Sequence, residues 1–239
     1  MMKTTLQRYL GIDLAPNSHH ERIISAVGGC IGIFLVVTIS KWFVGAEALI
    51  YIIPSMGASA VLLFAVPHSP LAQPWNVLGG HLISAAVGVM CAQFIPTVSI
   101  AAAASVGLAI AAMYYARCVH PPGGATALAA VIGGVHIHDL GFAYIITPVL
   151  VNTLTILVVG VLFNYLFKWR RYPSYLTLKD SKLTAPADVY GPINHADLVY
   201  ALSEIDSFID VSEEDLLRIY QLATGRIVDA DDRSEKNNT

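Results

Sequence analysis

The residues of this sequence that could do chemistry gather around one break in an apolar segment. The stretch VHPPGGATA at 119–127 places His120 directly before two prolines and two glycines. Proline is tolerated in the first turn of a helix, so the pair predicts that a helix starts here, inside an otherwise apolar run. The first N–H groups of such a helix lack backbone partners and carry the positive end of the helix dipole. Together with the Thr126 hydroxyl they would suit a small anion.

A second copy of this pattern lies upstream. Residues 54–61 (PSMGASAV) align with residues 121–128 (PPGGATAL) at an offset of 121 − 54 = 67. Two such helix starts facing each other would form one site within the membrane, where Gly57, Gly123 and Gly124 leave the backbone open to close approach. A helix-packing device made of small residues is the alternative interpretation. The predicted site comprises Pro54, Ser55, Gly57, Ala58, Ser59, His120, Pro121, Pro122, Gly123, Gly124, Ala125 and Thr126.

Two histidines are candidates for coupling transport to protons. His120 stands at the predicted helix start, and His81 lies in the middle of the apolar stretch LGGHLIS. Histidine titrates near neutral pH, and an ionisable residue inside a membrane segment is a functional candidate by default. We expect transport that depends on His120 to rise as the pH falls. A purely structural role, hydrogen-bonding the broken backbone, is the alternative.

The elements that must position these residues are membrane helices. The chain of 239 residues is 55% hydrophobic and 13% charged, with a mean hydropathy of +0.61. No Asp, Glu, Lys or Arg occurs between Glu47 and Arg117, a gap of 117 − 47 − 1 = 69 residues. As helix this gap would measure on the order of 100 Å, about three crossings of a hydrocarbon core of about 30 Å. The composition therefore predicts a polytopic membrane protein.

The apolar segments predict an all-α, polytopic helical fold of two three-segment repeats, with broken or half helices in the second and fifth segments. With six crossings, both termini are cytoplasmic and Arg117 shares the cytoplasmic side with the Arg170-Arg171 pair, as the positive-inside rule favours. If the second and fifth segments were re-entrant, Arg117 would lie on the opposite side, and this alternative stays open. The six segments are 22–44, 46–66, 77–95, 98–117, 120–135 and 142–168.

The charges divide the chain into a membrane unit and an acidic tail. We assign residues 1–21 as a cytoplasmic segment, 22–172 as the transmembrane domain and 173–239 as a cytoplasmic tail. The tail holds 6 Lys and Arg against 13 Asp and Glu. Its periodicity predicts two short amphipathic helices, at 195–209 and 212–225, which cannot bury much by themselves. We expect them to dock on the membrane unit or to pair in a homo-oligomer, for which a dimer is the simplest case.

The sequence predicts neither an enzyme nor a metal or cofactor site. The HIHD stretch at 136–139 falls in a predicted connecting loop without further ligands, and the three cysteines have no paired spacing. No Walker loop, GxSxG or HExxH occurs. We expect no catalytic residues, no nucleophile–base set, no metal, no cofactor and no nucleic-acid partner.

The stretch HPPGGATA, with PSMGASAVLLFAVPHSPLAQPWNVLGGH at 54–81 upstream, resembles the HPP family of integral membrane proteins. The similarity covers roughly residues 20–170 and extends to the tail stretches ADLVYAL and FIDVSEEDLL. The resemblance implies a small transporter, since plastid and cyanobacterial relatives are described as nitrite transporters. It also implies a bilayer as the surroundings, which we expect to be a bacterial inner membrane.

These observations predict transport of a small monovalent anion, nitrite first, through a site at two opposed half-helix N-termini. Two other functions stay open. The chain could be a sensor or assembly subunit whose acidic tail recruits a partner, or a membrane enzyme that uses His120 and His81.

Overall fold

The computed structural model describes residues 18–43 and 46–176, and all regular structure in these residues is helical. The predicted all-α polytopic class is confirmed. Residues 1–17 and 177–239, with the predicted tail helices, lie outside the described residues. A turn of 3-10 helix at Pro70–Ala72, a π-helical turn at Ile145–Leu150 and a second 3-10 turn at Lys168–Arg170 interrupt the α-helices. The α-helices are α1 His19–Phe43, α2 Ala46–Ala65, α3 Pro74–Phe94, α4 Val98–Tyr115, α5 Pro121–Ile132, α6 Gly134–Leu140 and α7 Val151–Tyr165.

Four stretches of the described chain are long and apolar enough to cross a membrane. They are His19–Trp42, Pro74–Phe94, Val98–Tyr115 and Ile145–Tyr165. Two shorter apolar helices, Pro54–Ala65 and Pro121–Ile132, accompany them. Large apolar side chains are exposed along the outer faces of the long helices, as lipid contact requires. Examples are Ile23, Phe34, Ile100, Leu108, Leu154 and Leu162.

Hydrogen bonds between distant parts of the chain show which helix ends lie together. Tyr172 donates its hydroxyl to the Ala72 carbonyl at 2.7 Å, and Trp75 donates its indole N–H to the Ala116 carbonyl at 3.2 Å. The start of α3 therefore lies beside both the end of α4 and the segment after α7. Asn164, in the last turn of α7, donates to the Leu63 carbonyl at the end of α2 at 3.0 Å. We call this side of the bundle the Arg170 end.

The helix directions at the Arg170 end favour six passes over two re-entrant segments. The helices α1, α3 and α5 begin there, and α2, α4 and α7 end there, so the described segments run alternately away from this end and towards it. Arg117 follows Ala116 and thus lies at the same end as Arg170, as the six-crossing arrangement requires. The re-entrant alternative would have moved Arg117 to the opposite end. Which end faces the cytoplasm stays a prediction.

The two predicted helix starts differ in the structure. α5 begins at Pro121, and His120 before it has the extended backbone that a following proline imposes (φ −139°, ψ 104°). Pro54 instead lies inside α2, which runs from Ala46 to Ala65, so the prediction of a helix start there is wrong. An internal proline removes one backbone hydrogen bond, and membrane helices tolerate this loss when they continue on both sides.

The helices α3 and α5 pack closely through small residues. Gly80, Ser84 and Gly88 are buried and recur every four residues along one face of α3. A Cβ added at Gly88 would lie 2.5 Å from the Ala127 carbonyl oxygen, and one at Gly123 would lie 2.7 Å from the Gly80 carbonyl oxygen. Small residues at this spacing let two membrane helices approach until their backbones touch. Part of the predicted glycine motif thus serves packing.

A buried ion pair fastens the Arg170 end. Arg170 is 1% exposed and pairs with Glu21 of α1. The guanidinium also donates to Ser25 at 3.1 Å, to the Asn164 side-chain oxygen at 3.2 Å and to the Phe64 carbonyl. Burial lowers the pKa of Arg170, and Glu21 opposes this shift. Arg170 is therefore a buried, paired charge rather than an exposed one.

The HIHD stretch is helical, and its prediction as a connecting loop is wrong. Its residues lie in α6 (Gly134–Leu140), a helix of 7 residues. The helical conformation is interrupted after α5, where Gly134 has a positive φ (71°). The residues after it form α6, and Gly141 (φ 48°) ends that helix. His138 bonds through Nε2 to the Val131 carbonyl at 2.8 Å.

Candidate functional site

Four buried polar side chains meet between α2, α3 and α5, and we call them the histidine cluster. They are Ser59 of α2, His81 of α3, His120 directly before α5 and Thr126 of α5. The first three are 0% exposed and Thr126 is 1% exposed. Ser59 lies six residues before the end of α2 at the Arg170 end, so the cluster lies about 10 Å inside that end. These polar groups are therefore held within an apolar bundle.

The two imidazoles converge on one hydroxyl. Ser59 Oγ lies 2.8 Å from His81 Nε2 and 2.9 Å from His120 Nε2. The ring centroids are 4.9 Å apart at an interplanar angle of 67°. The other nitrogen of His81, Nδ1, lies 2.7 Å from Thr126 Oγ1, and His120 Nδ1 lies 2.8 Å from the Leu71 carbonyl oxygen. All four ring nitrogens thus have hydrogen-bond partners.

One partner fixes the hydrogen-bond directions when both histidines are neutral. The Leu71 carbonyl can only accept, so His120 Nδ1 carries a proton and Nε2 accepts one from the Ser59 hydroxyl. Ser59 then accepts from His81 Nε2, which leaves His81 Nδ1 to accept from the Thr126 hydroxyl. The neutral cluster is therefore a continuous chain of four hydrogen bonds, all running in one direction.

The two aligned segments, 54–61 and 121–128, contribute equivalent groups to this chain of hydrogen bonds. Ser59 and Thr126 are separated by the offset of that alignment, 126 − 59 = 67, and each hydroxyl contacts one nitrogen of His81. Each hydroxyl also lies near the carbonyl oxygen four residues before it, at 3.1 Å for Ser55 and 3.4 Å for Pro122. Equivalent residues thus make equivalent contacts on the two sides of one imidazole.

Local backbone features hold His120 in place. The extended conformation before Pro121 turns its ring away from the axis of α5 and towards the 3-10 turn that contains Leu71. Asn76 of α3 donates to the Val119 carbonyl at 2.9 Å and so ties the segment before His120 to the first turn of α3. The broken backbone is thus tied to a neighbouring helix, as irregular backbone at membrane depth requires.

The structure brings only part of the predicted site together. Ser59, His120 and Thr126 meet at His81, and Ser55 and Pro122 contribute carbonyl oxygens. Gly57 instead lines an open apolar groove of ≈ 360 Å³ between α1 and α2, and a Cβ there would meet nothing within 4 Å. A Cβ on Gly124 would meet only Val106, at 3.9 Å, and Gly123 packs against α3. The remaining predicted residues are exposed: Pro54, Ala58, Pro121 and Ala125.

Sequence reasoning missed three contributors to the cluster. The Leu71 carbonyl lies in a connection whose residues gave no chemical signal. Tyr144 is 1% exposed and donates its hydroxyl to the Thr126 carbonyl at 3.1 Å. Gly80 lies so close to His120 that a Cβ there would overlap the His120 Cβ. The sequence feature that could have indicated Gly80 was its position directly before His81 in LGGHLIS.

Chemically, the cluster offers hydroxyl and imidazole groups without a charged partner. Among the described residues, no carboxylate, ammonium or guanidinium takes part in its hydrogen bonds or ring contacts. A serine bonded to histidine Nε2 is also the arrangement of a nucleophile with its base. Residues 59, 81 and 120 meet only in the fold, so this arrangement could not be found from the sequence, and the expectation that the protein is not an enzyme stays a prediction.

Known proteins place the chain in a family. Residues 15–173 match the family described as HPP, transmembrane region. A transmembrane protein of Dictyostelium discoideum is 38% identical over 149 residues, which are 61% of this chain and 48% of the relative. A second one from the same organism is 42% identical over 128 residues, 52% of this chain and 45% of the relative. The chain thus matches about half the length of these relatives, and no solved structure matches it. The chain belongs to the HPP family, whose transmembrane region its residues 15–173 match.

Proposed function

We propose that this protein carries a small monovalent anion across the membrane, with nitrite as the first candidate, and that the histidine cluster is its binding site. The observation that carries the proposal is the burial of two imidazoles and two hydroxyls in an apolar helical bundle, with no carboxylate of the described residues bonded to them. Buried polar groups in a membrane are costly, and their usual use is a substrate or ion pathway.

The chemistry of the cluster favours an anion over a cation. A cation would need carboxylate or several carbonyl oxygens, whereas the side-chain groups that converge here are hydroxyls and imidazoles. Protonation of either histidine adds a positive charge that an anion can neutralise. Nitrite comes first because the HPP motifs of this chain resemble those of plastid and cyanobacterial relatives described as nitrite transporters.

We expect the hydroxyl of Thr126 to be required for transport. Thr126→Val keeps the shape of the side chain but leaves His81 Nδ1 without its donor, so nitrite flux into proteoliposomes should fall at least tenfold. Thr126→Ser retains the hydroxyl and should keep most of the flux. Thr155→Val is the matched control, because Thr155 also bonds a carbonyl four residues earlier, Val151 at 2.8 Å, but lies outside the cluster.

Flux should be measured with purified full-length protein at equal reconstituted amounts, after subtraction of the flux in protein-free liposomes. Equal flux in Thr126→Val and native protein would show that the histidine cluster is not part of the transport path. Equal losses in Thr126→Val and Thr155→Val would show that helix stability, and not the cluster, limits transport. No protein-dependent flux of nitrite or of another small anion would favour a sensor or assembly role.

A membrane hydrolase is a second candidate, which the hydrogen bonds from Ser59 to two histidines favour. Against it, Ser59 lies inside α2, where the helix uses the backbone N–H groups that would otherwise stabilise an oxyanion. A fluorophosphonate probe tests this candidate directly. Labelling of native protein that is lost in Ser59→Ala would establish a reactive serine, whereas a transporter should not be labelled.

A further inference from the structure

We propose that the histidine cluster takes up one proton together with each anion, so that transport is electroneutral. This inference rests on the proposed function and adds its coupling ion and stoichiometry. It is carried by the hydrogen-bond geometry of Ser59, His81, His120 and Thr126, which allows a second complete arrangement with one more proton.

In the proton-loaded arrangement every hydrogen bond between the two histidines and Thr126 reverses. His120 carries both ring protons and donates through Nδ1 to Leu71 and through Nε2 to Ser59. The Ser59 hydroxyl then rotates to donate to His81 Nε2. His81 Nδ1 donates to Thr126, whose hydroxyl turns to the Pro122 carbonyl at 3.4 Å. No polar atom of the chain loses its partner, and one proton has been added.

The added proton can also reside on His81. In that arrangement both nitrogens of His81 donate, to Ser59 and to Thr126, while the Ser59 hydroxyl donates to His120 Nε2. Moving the proton between the two rings requires only that Ser59 accepts it from one Nε2 and passes its own proton to the other. Ser59 is therefore the relay between the two sites of protonation.

A second proton is excluded by charge rather than by hydrogen bonding. The Ser59 hydroxyl could donate to the Ser55 carbonyl at 3.1 Å while it accepts from both rings, so a doubly loaded cluster has partners for its donors. Two positive rings with centroids 4.9 Å apart repel each other strongly in a protein interior. Their repulsion lowers the affinity for the second proton by more than about 100-fold.

The groups around the cluster leave the loaded proton without a counter-charge. The titratable groups that face it are weak acids: the Cys118 thiol beside Gly79, the Tyr144 hydroxyl on the Thr126 carbonyl and the Tyr172 hydroxyl at the turn containing Leu71. The helices α3, α4 and α5 contain no Asp, Glu, Lys or Arg, and the one such residue of α2, Glu47, lies twelve positions before Ser59, about 18 Å along the helix. An unpaired charge is strongly disfavoured at such a place, so proton and anion stabilise each other there.

The experiment is a measurement of proton stoichiometry and voltage dependence. Full-length protein is reconstituted with a trapped pH dye, the membrane potential is clamped with valinomycin and potassium, and nitrite uptake is followed at an external pH of about 6.5, where histidine titrates. We expect one proton to enter per nitrite above the protein-free rate, and no effect of the potential. For an uncoupled anion, 100 mV would change accumulation about 50-fold.

Variants of the two histidines test whether the histidine cluster takes up the proton. The double variant His81→Gln/His120→Gln keeps hydrogen-bonding groups but cannot titrate, so its remaining nitrite flux should carry no proton and should follow the potential. His138→Gln is the matched control, because His138 bonds only a carbonyl of α5, Val131, in the described chain, and it should keep the ratio of one.

Each result separates the two proposals. Native flux that follows the potential without protons would overturn the coupling and leave anion transport standing. If an active double variant still takes up one proton per nitrite, these two histidines are not the groups that carry the proton. If no small anion moves in native protein, the proposed function fails and the coupling fails with it. The ratio of protons to nitrite in native protein tests the coupling even where a variant does not fold.

Discussion

Replacing Arg170 with methionine should destabilise the protein more than any other single change to a charged residue in the described chain. The substitution leaves Glu21 as an uncompensated charge inside the Arg170 end and removes the donors to Ser25, Asn164 and the Phe64 carbonyl. Breaking one partner of a buried ion pair costs about 3–5 kcal/mol. We expect the thermal unfolding midpoint in detergent to fall on the order of 10 °C.

Two further variants show whether the charge itself is responsible. Lys168→Met removes an exposed charge from the same 3-10 turn and should leave the midpoint nearly unchanged. The double variant Glu21→Gln/Arg170→Met leaves no unpaired charge, and a glutamine oxygen can still accept from Trp169. It should therefore be more stable than Arg170→Met. A double variant less stable than the single one would show that packing of the arginine side chain, and not charge pairing, holds this end together.

This ion pair could not be found from the sequence, because its partners are 149 residues apart. Arg170 precedes a second arginine near the end of the last apolar segment, where positive residues usually lie at the interface. Glu21 stands at the start of the first segment and gave no sign of a partner. Arg170 resembles a surface charge in the sequence, and it is buried because α1 and α7 lie side by side in the fold.

The number and limits of the membrane segments were predictable because charge is excluded from them. The gap without charged residues fixed three segments, and prolines with glycines marked their ends. The conformation at a single proline was not predictable. His120 precedes two prolines and a helix begins after it, whereas Pro54 follows an apolar run that stays helical. Each proline lies within an apolar stretch of the sequence, and the local pattern did not distinguish the two outcomes.

The residues of the site were predictable from the sequence, but the directions in which their side chains point were not. Ser59, His120 and Thr126 were named from the motif, and His81 as a second histidine. Their neighbours in the motif face elsewhere, because consecutive helix positions point about 100° apart. In a soluble helix the polar face would have shown which residues turn inward. Here the outer face is apolar as well, so the pattern gave no direction, and exposed Ala58 could not be told from buried Ser59.

Substituting alanine for Gly80 should stop transport, while the same change at Gly57 should not. A Cβ on Gly80 would overlap the His120 Cβ and lie 3.1 Å from the Cys118 carbonyl oxygen. Either α3 or the segment before α5 must shift, which moves His120 away from Ser59. We expect nitrite flux to fall at least tenfold, and stability to drop by about 1–3 kcal/mol, the usual cost of overpacking.

Gly57→Ala makes this test specific, because both changes add one methyl group to a membrane helix. A Cβ on Gly57 meets nothing within 4 Å, as at Gly29 across the same groove, and alanine is favoured over glycine in a helix by about 1 kcal/mol. Stability should be unchanged or higher, with flux equal to that of native protein. Full flux in Gly80→Ala would show that the approach of α3 to His120 is not needed. Loss of flux in a stable Gly57→Ala would instead move the transport path to the groove between α1 and α2, away from the histidines.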